Sequence, residues 1–229
     1  MSIKNLRLHH FPGVRSARVV WLLQELEQSF DIVPVNLFSD EQHSPSFKAL
    51  NPAHAVPVLE FETQDGSAVS MYESGAIVSF LADLWPEAGL APEQSDCSAR
   101  SAYLQMIHFC AASIDMMLWQ IRVNEHLLRP EERDEKTSVR YRKKFIAEVE
   151  PVLAEALVNH DHACSDTFSA ADCMIGHAVV WARTYGLCSS MPFDDYIARC
   201  GRRPAFHRAF SDVDSSPRAP TVYSRLFNG

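Results

Sequence analysis

"HHFPGVRSARVVWLL", residues 9–23, passes from strand-like alternation through a Pro-Gly turn directly into a helical repeat. The strand is predicted from the alternation of Leu6, Leu8 and His10. The helix that follows carries one apolar stripe, formed by Val19, Leu22, Leu23 and Leu26. A strand, a turn and a helix start in succession present unpaired backbone N–H groups together with the positive end of the helix dipole. This geometry favours bound negative charge.

The elements that follow alternate strand and helix patterns up to about residue 85. Their order, βαβαββα, predicts an α/β domain over residues 1–85. After the first strand and helix come a strand in "FDIVPVNLF" (30–38), a helical turn at 45–50, strands in "PVLEFET" (57–63) and "AVSMY" (68–72) around the turn "QDGS", and the helix "SGAIVSFLADLW" (74–85).

Beyond about residue 95 only helical spacing remains, which predicts an all-helical second domain over residues 97–229. "PEAGLAPEQSD" (86–96), rich in Pro, Gly and acidic residues, is predicted to be the linker between the domains. We expect one helix from about Cys97 to Leu128 and a second from Pro130 to His160. Pro151 should kink or break the second helix.

Composition excludes several classes of partner. The formal charge of -8 among 229 residues argues against nonspecific binding to nucleic acid or anionic lipid, because both need a basic surface. No apolar run approaches the roughly 20 residues of a membrane span, and residues 1–5 show no hydrophobic core of a signal peptide. These features predict a cytoplasmic protein whose partners are small molecules or other proteins.

The six cysteines lack the spacing of a zinc knuckle or of a disulfide framework. His160, His162 and Cys164 in "HDHAC" offer three possible metal ligands but no fourth, so a polar turn is the simpler interpretation and no metal is assigned. "TFSAADCMIG" (167–176) predicts a helix start in which Ser169 and Asp172 form a capping box. We interpret that motif as structural.

Two short motifs predict a binding site in the first domain. Val56-Pro57 precedes a strand at a point where proline cannot donate to the sheet, so the Val56 backbone could instead pair with an extended, peptide-like ligand. Glu73 and Ser74 lie where a strand ends and a helix begins. A carboxylate there accepts from an ammonium group, while the serine and the helix N–H groups receive a carboxylate, which suits an α-amino acid terminus. The alternative for Ser74 is a simple helix cap.

"NPAHAVPVLE", "YESGAIVSFLADLWP", "FSAADCMIG" and "RRPAFHRAF" occur in the order and spacing of one family: the chain resembles cytosolic glutathione transferases, in particular theta-like and related bacterial members, over roughly residues 6–210. The resemblance implies a thioredoxin-like N-terminal domain followed by an all-helical C-terminal domain. It also implies a homodimer, with glutathione as a substrate and no tightly bound cofactor.

Carried over to this sequence, the resemblance assigns glutathione-binding roles to five residues. Glu73 and Ser74 would hold the γ-glutamyl end, the Val56 backbone would pair with the cysteinyl unit, and Pro57 would be cis. His43, in a "QH" pair with Gln42, would lie near the glycine carboxylate.

The chain departs from the family pattern at two positions. Ala55 stands where a lysine often contacts the glycine carboxylate, and the neighbouring His54 is a partial substitute. Val14, four residues before Arg18, occupies the position of the serine or tyrosine hydroxyl that lowers the pKa of the glutathione thiol. Backbone N–H groups, the cation of Arg15 or the hydroxyl of Ser16 remain as candidate substitutes, with Ser16 the candidate catalytic side chain. Arg15 as a surface charge and Ser16 within the first helical turn are the structural alternatives.

The function predicted first is conjugation, in which glutathione ionises and its thiolate attacks a small electrophile. Phe11 and Val14 would line the apolar pocket for this co-substrate. A stripe in the second domain (Tyr103, Met106, Phe109, Met116 and Met117) is interpreted as core rather than as part of that pocket.

Two alternatives remain. One is glutathione-dependent disulfide or peroxide reduction, with the mixed disulfide formed at glutathione itself, since no cysteine lies in the motif around residue 14. The other is a protein-binding scaffold that has lost catalysis, for which Val14 and Ala55 argue and the Glu73-Ser74 pair argues against. The segment after residue 210 covers the site or trails over the surface, and the sequence favours neither arrangement.

Overall fold

Four strands form a mixed sheet in the order β2-β1-β3-β4. The structure is a computed structural model that describes residues 3–211. β1 pairs in parallel with β2 and antiparallel with β3, and β3 pairs antiparallel with β4. The strands span Lys4–His10 (β1), Asp31–Pro34 (β2), Val58–Glu62 (β3) and Ala68–Tyr72 (β4).

Three helices complete the predicted βαβαββα order: Ala17–Glu25 (α1), Pro45–Leu50 (α2) and Ser74–Leu84 (α3). α1 and α3 contact each other, and the apolar stripe predicted on α1 is buried. Leu8 and Leu59 on the sheet, with Leu22 and Leu81 on the two helices, are completely inaccessible to solvent. The predicted thioredoxin-like arrangement of this part of the chain is therefore confirmed.

β2 is shorter than the strand predicted over residues 30–38. It ends at Pro34, opposite His10, the last residue of β1, and the Val35 N–H makes the final hydrogen bond to the His10 carbonyl (2.9 Å). The Asn36 side chain then accepts from the backbone N–H groups of Phe38 (3.0 Å) and Ser39 (3.3 Å), which closes a turn. A local side-chain hydrogen bond has replaced strand pairing over the second half of this segment.

The register of the sheet determines what meets at its edge. His9 at the end of β1, Val58 at the start of β3 and Tyr72 at the end of β4 are neighbours across the three strands. Because β3 runs antiparallel to both of its neighbours, the two segments that leave β1 and β4 emerge beside the segment that enters β3. These three segments are residues 11–16, 73–74 and 51–57.

The helical part of the chain follows the linker. A nearly continuous helical stretch contains Cys97–His108 (α4), a π-helical turn at Phe109–Ile114, Asp115–Arg122 (α5) and a second π-helical turn at Val123–Leu127. Then come Glu135–Glu148 (α6), Glu150–Asn159 (α7), Ala170–Arg183 (α8) and Met191–Gly201 (α9). The predicted break near Pro151 is confirmed, since Val149 separates α6 from α7 and Pro151 lies in the first turn of α7, where its missing N–H is tolerated.

α8 is the buried helix of this part of the chain, with every residue from Ala170 to Ala182 buried. The predicted capping box is present at its start, where the backbone N–H of Ser169 donates to Asp172 over 2.9 Å. Asp172 also accepts from the Ala163 N–H (2.8 Å) and from the Tyr196 hydroxyl (2.9 Å). Burial raises the pKa of Tyr196 well above its ordinary value, and the negative charge of Asp172 raises it further. The hydroxyl therefore remains protonated and donates.

A further helix, Pro204–Phe210 (α10), belongs with the N-terminal unit. The described residues form one compact unit of residues 3–91 with 201–211 and a second of residues 92–200, whereas the sequence analysis placed everything after residue 97 in one helical domain. The physical reason is the side chain of Trp21, which packs edge-on against Phe206 with ring centroids 4.8 Å apart. Arg203 also forms a bidentate ion pair with Glu25, and both N···O distances are 2.7 Å.

In residues 3–211, no helix combines the length and the apolar character needed to cross a bilayer. Most of the segment after residue 210 whose position the sequence left open, residues 212–229, lies outside the described residues.

The Asp172 network generates the first prediction. Asp172→Ala leaves two backbone N–H groups and the Tyr196 hydroxyl without their buried acceptor, and we expect it to lower the free energy of unfolding by about 3 kcal/mol. Urea denaturation followed by circular dichroism measures this. Asp195→Ala, which removes the same charge from an exposed position on α9, is the control and should change stability by less than about 0.5 kcal/mol. Equal losses in the two variants would contradict a structural role for Asp172.

Candidate functional site

A cavity with about 270 Å³ of empty space, part of it open to solvent, lies where the three sheet-edge segments meet. It is lined by Arg15, Asn51, Ala55, Val56, Pro57, Glu73 and Ser74. The structure thus brings together four residues assigned to glutathione binding from the sequence, namely Val56, Pro57, Glu73 and Ser74. The Val56–Pro57 peptide bond is cis, as the resemblance implies.

Glu73 and Ser74 reach the cavity through the sharp turn between β4 and α3. Glu73 has φ +72°, a conformation that side-chain-bearing residues rarely adopt and that costs about 1–2 kcal/mol. Its carbonyl nevertheless accepts from the Ile77 N–H (2.9 Å), which begins the hydrogen bonding of α3. The result is an exposed carboxylate next to a buried hydroxyl at the first residue of a helix. Such a pair can receive an ammonium group and a carboxylate side by side.

Asn51 shapes the loop that leads to Val56. Its side-chain amide donates to the Ala55 carbonyl (2.7 Å), and its side-chain oxygen accepts from the Ala53 N–H (2.9 Å). Its own carbonyl accepts from the His54 N–H (2.9 Å). Three hydrogen bonds from one buried residue hold the loop in place. Asn51 was missed in the sequence analysis, although Asn followed by Pro is a turn signal that could have identified it.

Two arginines lie at or next to the cavity, and the sequence analysis missed the second of them, Arg18. Arg15, interpreted from sequence as either a surface charge or a candidate cation, lines the cavity and is half-buried. Arg18, used only to align the motif, is completely buried and donates to the Ser74 hydroxyl over 3.3 Å. No local pattern distinguishes these arginines from surface ones, because both contacts join segments more than 35 residues apart in the chain.

His43 and His54 lie together, although they do not line the cavity. Their ring centroids are 4.5 Å apart and the rings are tilted by 45°. Both side chains are exposed, and Ala55 between His54 and Val56 is a lining residue. The position that often carries a lysine in the family is therefore bordered by a pair of imidazoles, each able to donate to an anion.

The surroundings of Ser16 are not those that the catalytic role considered for it would require. Its side chain is completely buried, and its hydroxyl oxygen lies 2.8 Å from His10 Nδ1. The same hydroxyl donates to the Phe11 carbonyl (3.1 Å) and accepts from the Phe11 N–H (3.3 Å). These contacts fasten the end of β1 to the start of α1 from the interior, so the hydroxyl does not face the cavity.

Phe11 and Val14 present apolar surface next to this turn. Both pack, half-buried, against a cluster of Val35, Phe47, Val56 and Val58, and Phe11 also meets Phe38 edge-on at 5.2 Å. In the second unit, Tyr103 and Met117 are buried core, as interpreted from the sequence, whereas Met116 is exposed.

None of the cysteines lines the cavity. Burial, with a smaller contribution from the Asp172 charge, raises the pKa of Cys164 to about 12, and burial likewise raises that of Cys188. These two thiols therefore carry almost no thiolate at neutral pH. Within the described part of the chain no group of histidine, cysteine and acidic side chains could hold a metal ion. His160 instead pairs with Asp166 (3.4 Å) and His162 faces Asp172 (3.6 Å).

Comparison with known proteins identifies the first unit. Residues 8–89 match the family model described as the N-terminal domain of glutathione S-transferase. Glutathione S-transferase 3 of Zea mays is 27% identical over 223 residues, which cover 93% of this chain and 96% of that protein. Glutathione S-transferase 3 of Schizosaccharomyces pombe is 29% identical over 51% of this chain and 45% of that protein. The chain spans between 31% and 45% of the length of three of the curated relatives that it matches.

Solved structures extend the likeness in fold. A glutathione transferase from Pseudomonas putida, crystallised with one glutathione disulfide bound per subunit, superposes with a TM-score of 0.78 at 22% identity. The superposition covers 90% of each chain. The predicted fold class, a thioredoxin-like domain followed by a helical one, and the family resemblance are both confirmed.

The Ser16 contacts generate the second prediction. Ser16→Ala removes a buried hydroxyl that contacts His10, the last residue of β1, and the backbone of Phe11, and we expect it to lower the free energy of unfolding by about 1–2 kcal/mol. Chemical denaturation measures this, with the exposed Ser29→Ala as the control. A Ser16→Ala variant as stable as the wild type would contradict the structural role and return this hydroxyl to consideration as a ligand contact.

Proposed function

We propose that this chain binds reduced glutathione and transfers its thiolate to a small electrophile, because residues 8–89 match the N-terminal domain of glutathione S-transferase and 90% of the chain shares the fold of a solved glutathione transferase. The observation that carries the proposal is the cavity itself. Of the described residues that line it, Glu73 supplies the negative charge and Arg15 the positive charge. Ser74 also lines the cavity and is the first residue of α3.

The charges of the cavity complement the γ-glutamyl end of glutathione, which is an α-amino acid carrying one ammonium group and one carboxylate. Glu73 accepts hydrogen bonds from the ammonium group. Ser74 and the first N–H groups of α3 donate to the carboxylate, where the helix dipole adds to the attraction. Charge-assisted hydrogen bonds of this kind contribute about 1.5–3 kcal/mol each.

The rest of the tripeptide follows the loop held by Asn51. The Val56 backbone pairs with the cysteinyl unit in the manner of an added strand. The glycine carboxylate then lies toward His43 and His54, whose imidazoles supply the donors that a lysine provides elsewhere in the family. Pro57 closes the floor of the cavity next to Val56.

Thiol activation relies on Arg15 and on backbone groups in this proposal. Val14 has no hydrogen to donate, and the Ser16 hydroxyl is engaged with His10 and Phe11. A guanidinium in the same cavity as Val56 favours the ionised form of a thiol bound there, which lowers its pKa. The thiol proton passes to solvent, the sulfur electron pair forms a bond to the electrophilic carbon, and the leaving group departs with its own electron pair. Phe11 and Val14 border the sulfur with apolar surface for the co-substrate.

The resemblance also implies a homodimer, which we propose for this chain. The helices α6 and α7 leave apolar side chains exposed, among them Ile146 at 51% and Val158 at 72%. An interface between two copies of the chain would bury apolar area of this kind.

The third prediction tests glutathione binding. Glu73→Ala and Ser74→Ala should each weaken the binding of reduced glutathione by at least about 1 kcal/mol, or fivefold, since each removes a charge-assisted hydrogen bond. Isothermal titration calorimetry measures the affinity. Glu87→Ala, which removes a charge from an exposed site outside the cavity, is the control and should bind as the wild type does.

Performing the wild-type titration in two buffers of different ionisation enthalpy also reports proton release. Binding with proton release near pH 7 supports conjugation through a thiolate. Binding without release would favour disulfide or peroxide chemistry at glutathione, and absence of binding would favour the scaffold.

The fourth prediction concerns the missing hydroxyl. Val14→Ser places a donor where the family has one, and we expect turnover of an aryl halide such as 1-chloro-2,4-dinitrobenzene to rise about tenfold or more, in line with the value of a positioned proton donor. Val14→Ala is the control, because it changes the volume without adding a donor. A rise shared by both variants would indicate better access to the site, and no rise would indicate that Arg15 and the backbone already supply the activation.

A further inference from the structure

Arg18 is a buried cation that the proposed chemistry does not use directly. It lies on α1 with no exposed surface, and its guanidinium Nη1 lies 3.3 Å from the hydroxyl of Ser74 at the start of α3. Burying a guanidinium is costly unless its donors are satisfied. Its contact with a residue that lines the cavity raises the question of what the bond does for Ser74.

The direction of this hydrogen bond is fixed by chemistry. A guanidinium has five donors and no acceptor, so the Ser74 oxygen must be the acceptor. A serine hydroxyl carries one hydrogen and two lone pairs. With a lone pair committed to Arg18, the hydroxyl hydrogen of Ser74 is turned away from Arg18 and is available to an acceptor elsewhere.

The other buried serines show that this arrangement is unusual in the protein. Ser16 donates its hydroxyl hydrogen to the Phe11 carbonyl, Ser138 donates to Glu125, and Ser169 donates to Asp172. Within residues 3–211, Ser74 is the buried serine whose hydroxyl accepts a hydrogen bond but donates none. Because Ser74 lines the cavity, the acceptor for its hydrogen is available from a ligand bound there.

We propose that Arg18 is a positioning residue that holds the Ser74 hydroxyl as a donor toward the cavity and thereby makes this subsite selective for a carboxylate. The proposal rests on the proposed binding of glutathione and specifies how its α-carboxylate is recognised. An ammonium group, which has only donors, cannot accept the hydrogen that this hydroxyl presents. Glu73 binds the ammonium group instead. The two neighbouring residues therefore bind the ammonium and the carboxylate of one amino acid in a single orientation.

A double-mutant cycle tests the proposal with two ligands. The ligands are reduced glutathione and 4-aminobutyryl-cysteinyl-glycine, which lacks only the α-carboxylate. The variants are Arg18→Lys, Ser74→Ala and the double variant, with affinities measured by calorimetry. A structural role for Arg18 alone would lower the affinity for both ligands, whereas a role through Ser74 affects only the ligand that has the carboxylate.

We expect Arg18→Lys to weaken glutathione binding about fivefold and to leave the affinity for the decarboxylated ligand within twofold of wild type. In the Ser74→Ala background, Arg18→Lys should have no further effect. Equal losses for both ligands, or an undiminished loss in the Ser74→Ala background, would overturn the proposal. A wild-type protein that binds neither ligand would overturn the proposed function as well, which separates the two failures.

A second pair of variants keeps the test independent of the folding of Arg18→Lys. Ser74→Thr retains a hydroxyl that can accept from Arg18, and it should keep the wild-type preference for glutathione over the decarboxylated ligand. Ser74→Ala should reduce that preference about fivefold or more, while the α3 N–H groups retain the rest. An unchanged preference in Ser74→Ala would contradict the assignment of the carboxylate to this hydroxyl.

Discussion

The register of β3 between its two antiparallel neighbours is the constraint on which the site depends. With His9, Val58 and Tyr72 side by side, the segment leaving β1, the segment entering β3 and the segment leaving β4 all emerge at one edge of the sheet. A shift of one residue in either pairing would turn the strand faces over and move Val56 or Glu73 away from the cavity. The buried leucines of β1 and β3 resist such a shift, because it would bring them to the surface. Packing of the core thus maintains the geometry of the residues that line the cavity.

The cavity reverses the overall electrostatic character of the chain. The protein carries a formal charge of -8, yet around Ser74 the structure places a buried guanidinium, a half-buried one and the positive end of a helix. A local positive potential of this kind attracts a carboxylate even when the protein as a whole repels anions. Glu73 supplies the opposite charge within the same cavity. The site is therefore suited to a zwitterion and less suited to a simple anion.

Much of the fold could be predicted from the sequence because its elements have clear local patterns. The strand alternation of β1, β3 and β4, the stripe on α1 and the capping box at Ser169 each follow from neighbouring residues alone. Val56, Glu73 and Ser74, which the structure places around one cavity, could be named as candidates for the same reason, since each lies at an element boundary with a recognisable signal. The roles of Arg15, Arg18 and Ser16 could not, because they depend on which way a side chain turns once distant segments meet. The position of α10 depends in the same way on a long-range contact with Trp21.

That contact has a consequence for how the protein is made. The ribosome releases residues 1–91 first, but the helix that covers Trp21 is not synthesised until after the entire second unit, some 110 residues later. Until then, the outer face of α1 lacks Phe206 and the Arg203–Glu25 ion pair, so the nascent N-terminal unit exposes an indole ring to solvent and to chaperones. Completion of the first unit therefore awaits the synthesis of residues 204–210, and premature termination before residue 200 would leave a chain whose cavity-lining residues are present but whose supporting surface is uncovered.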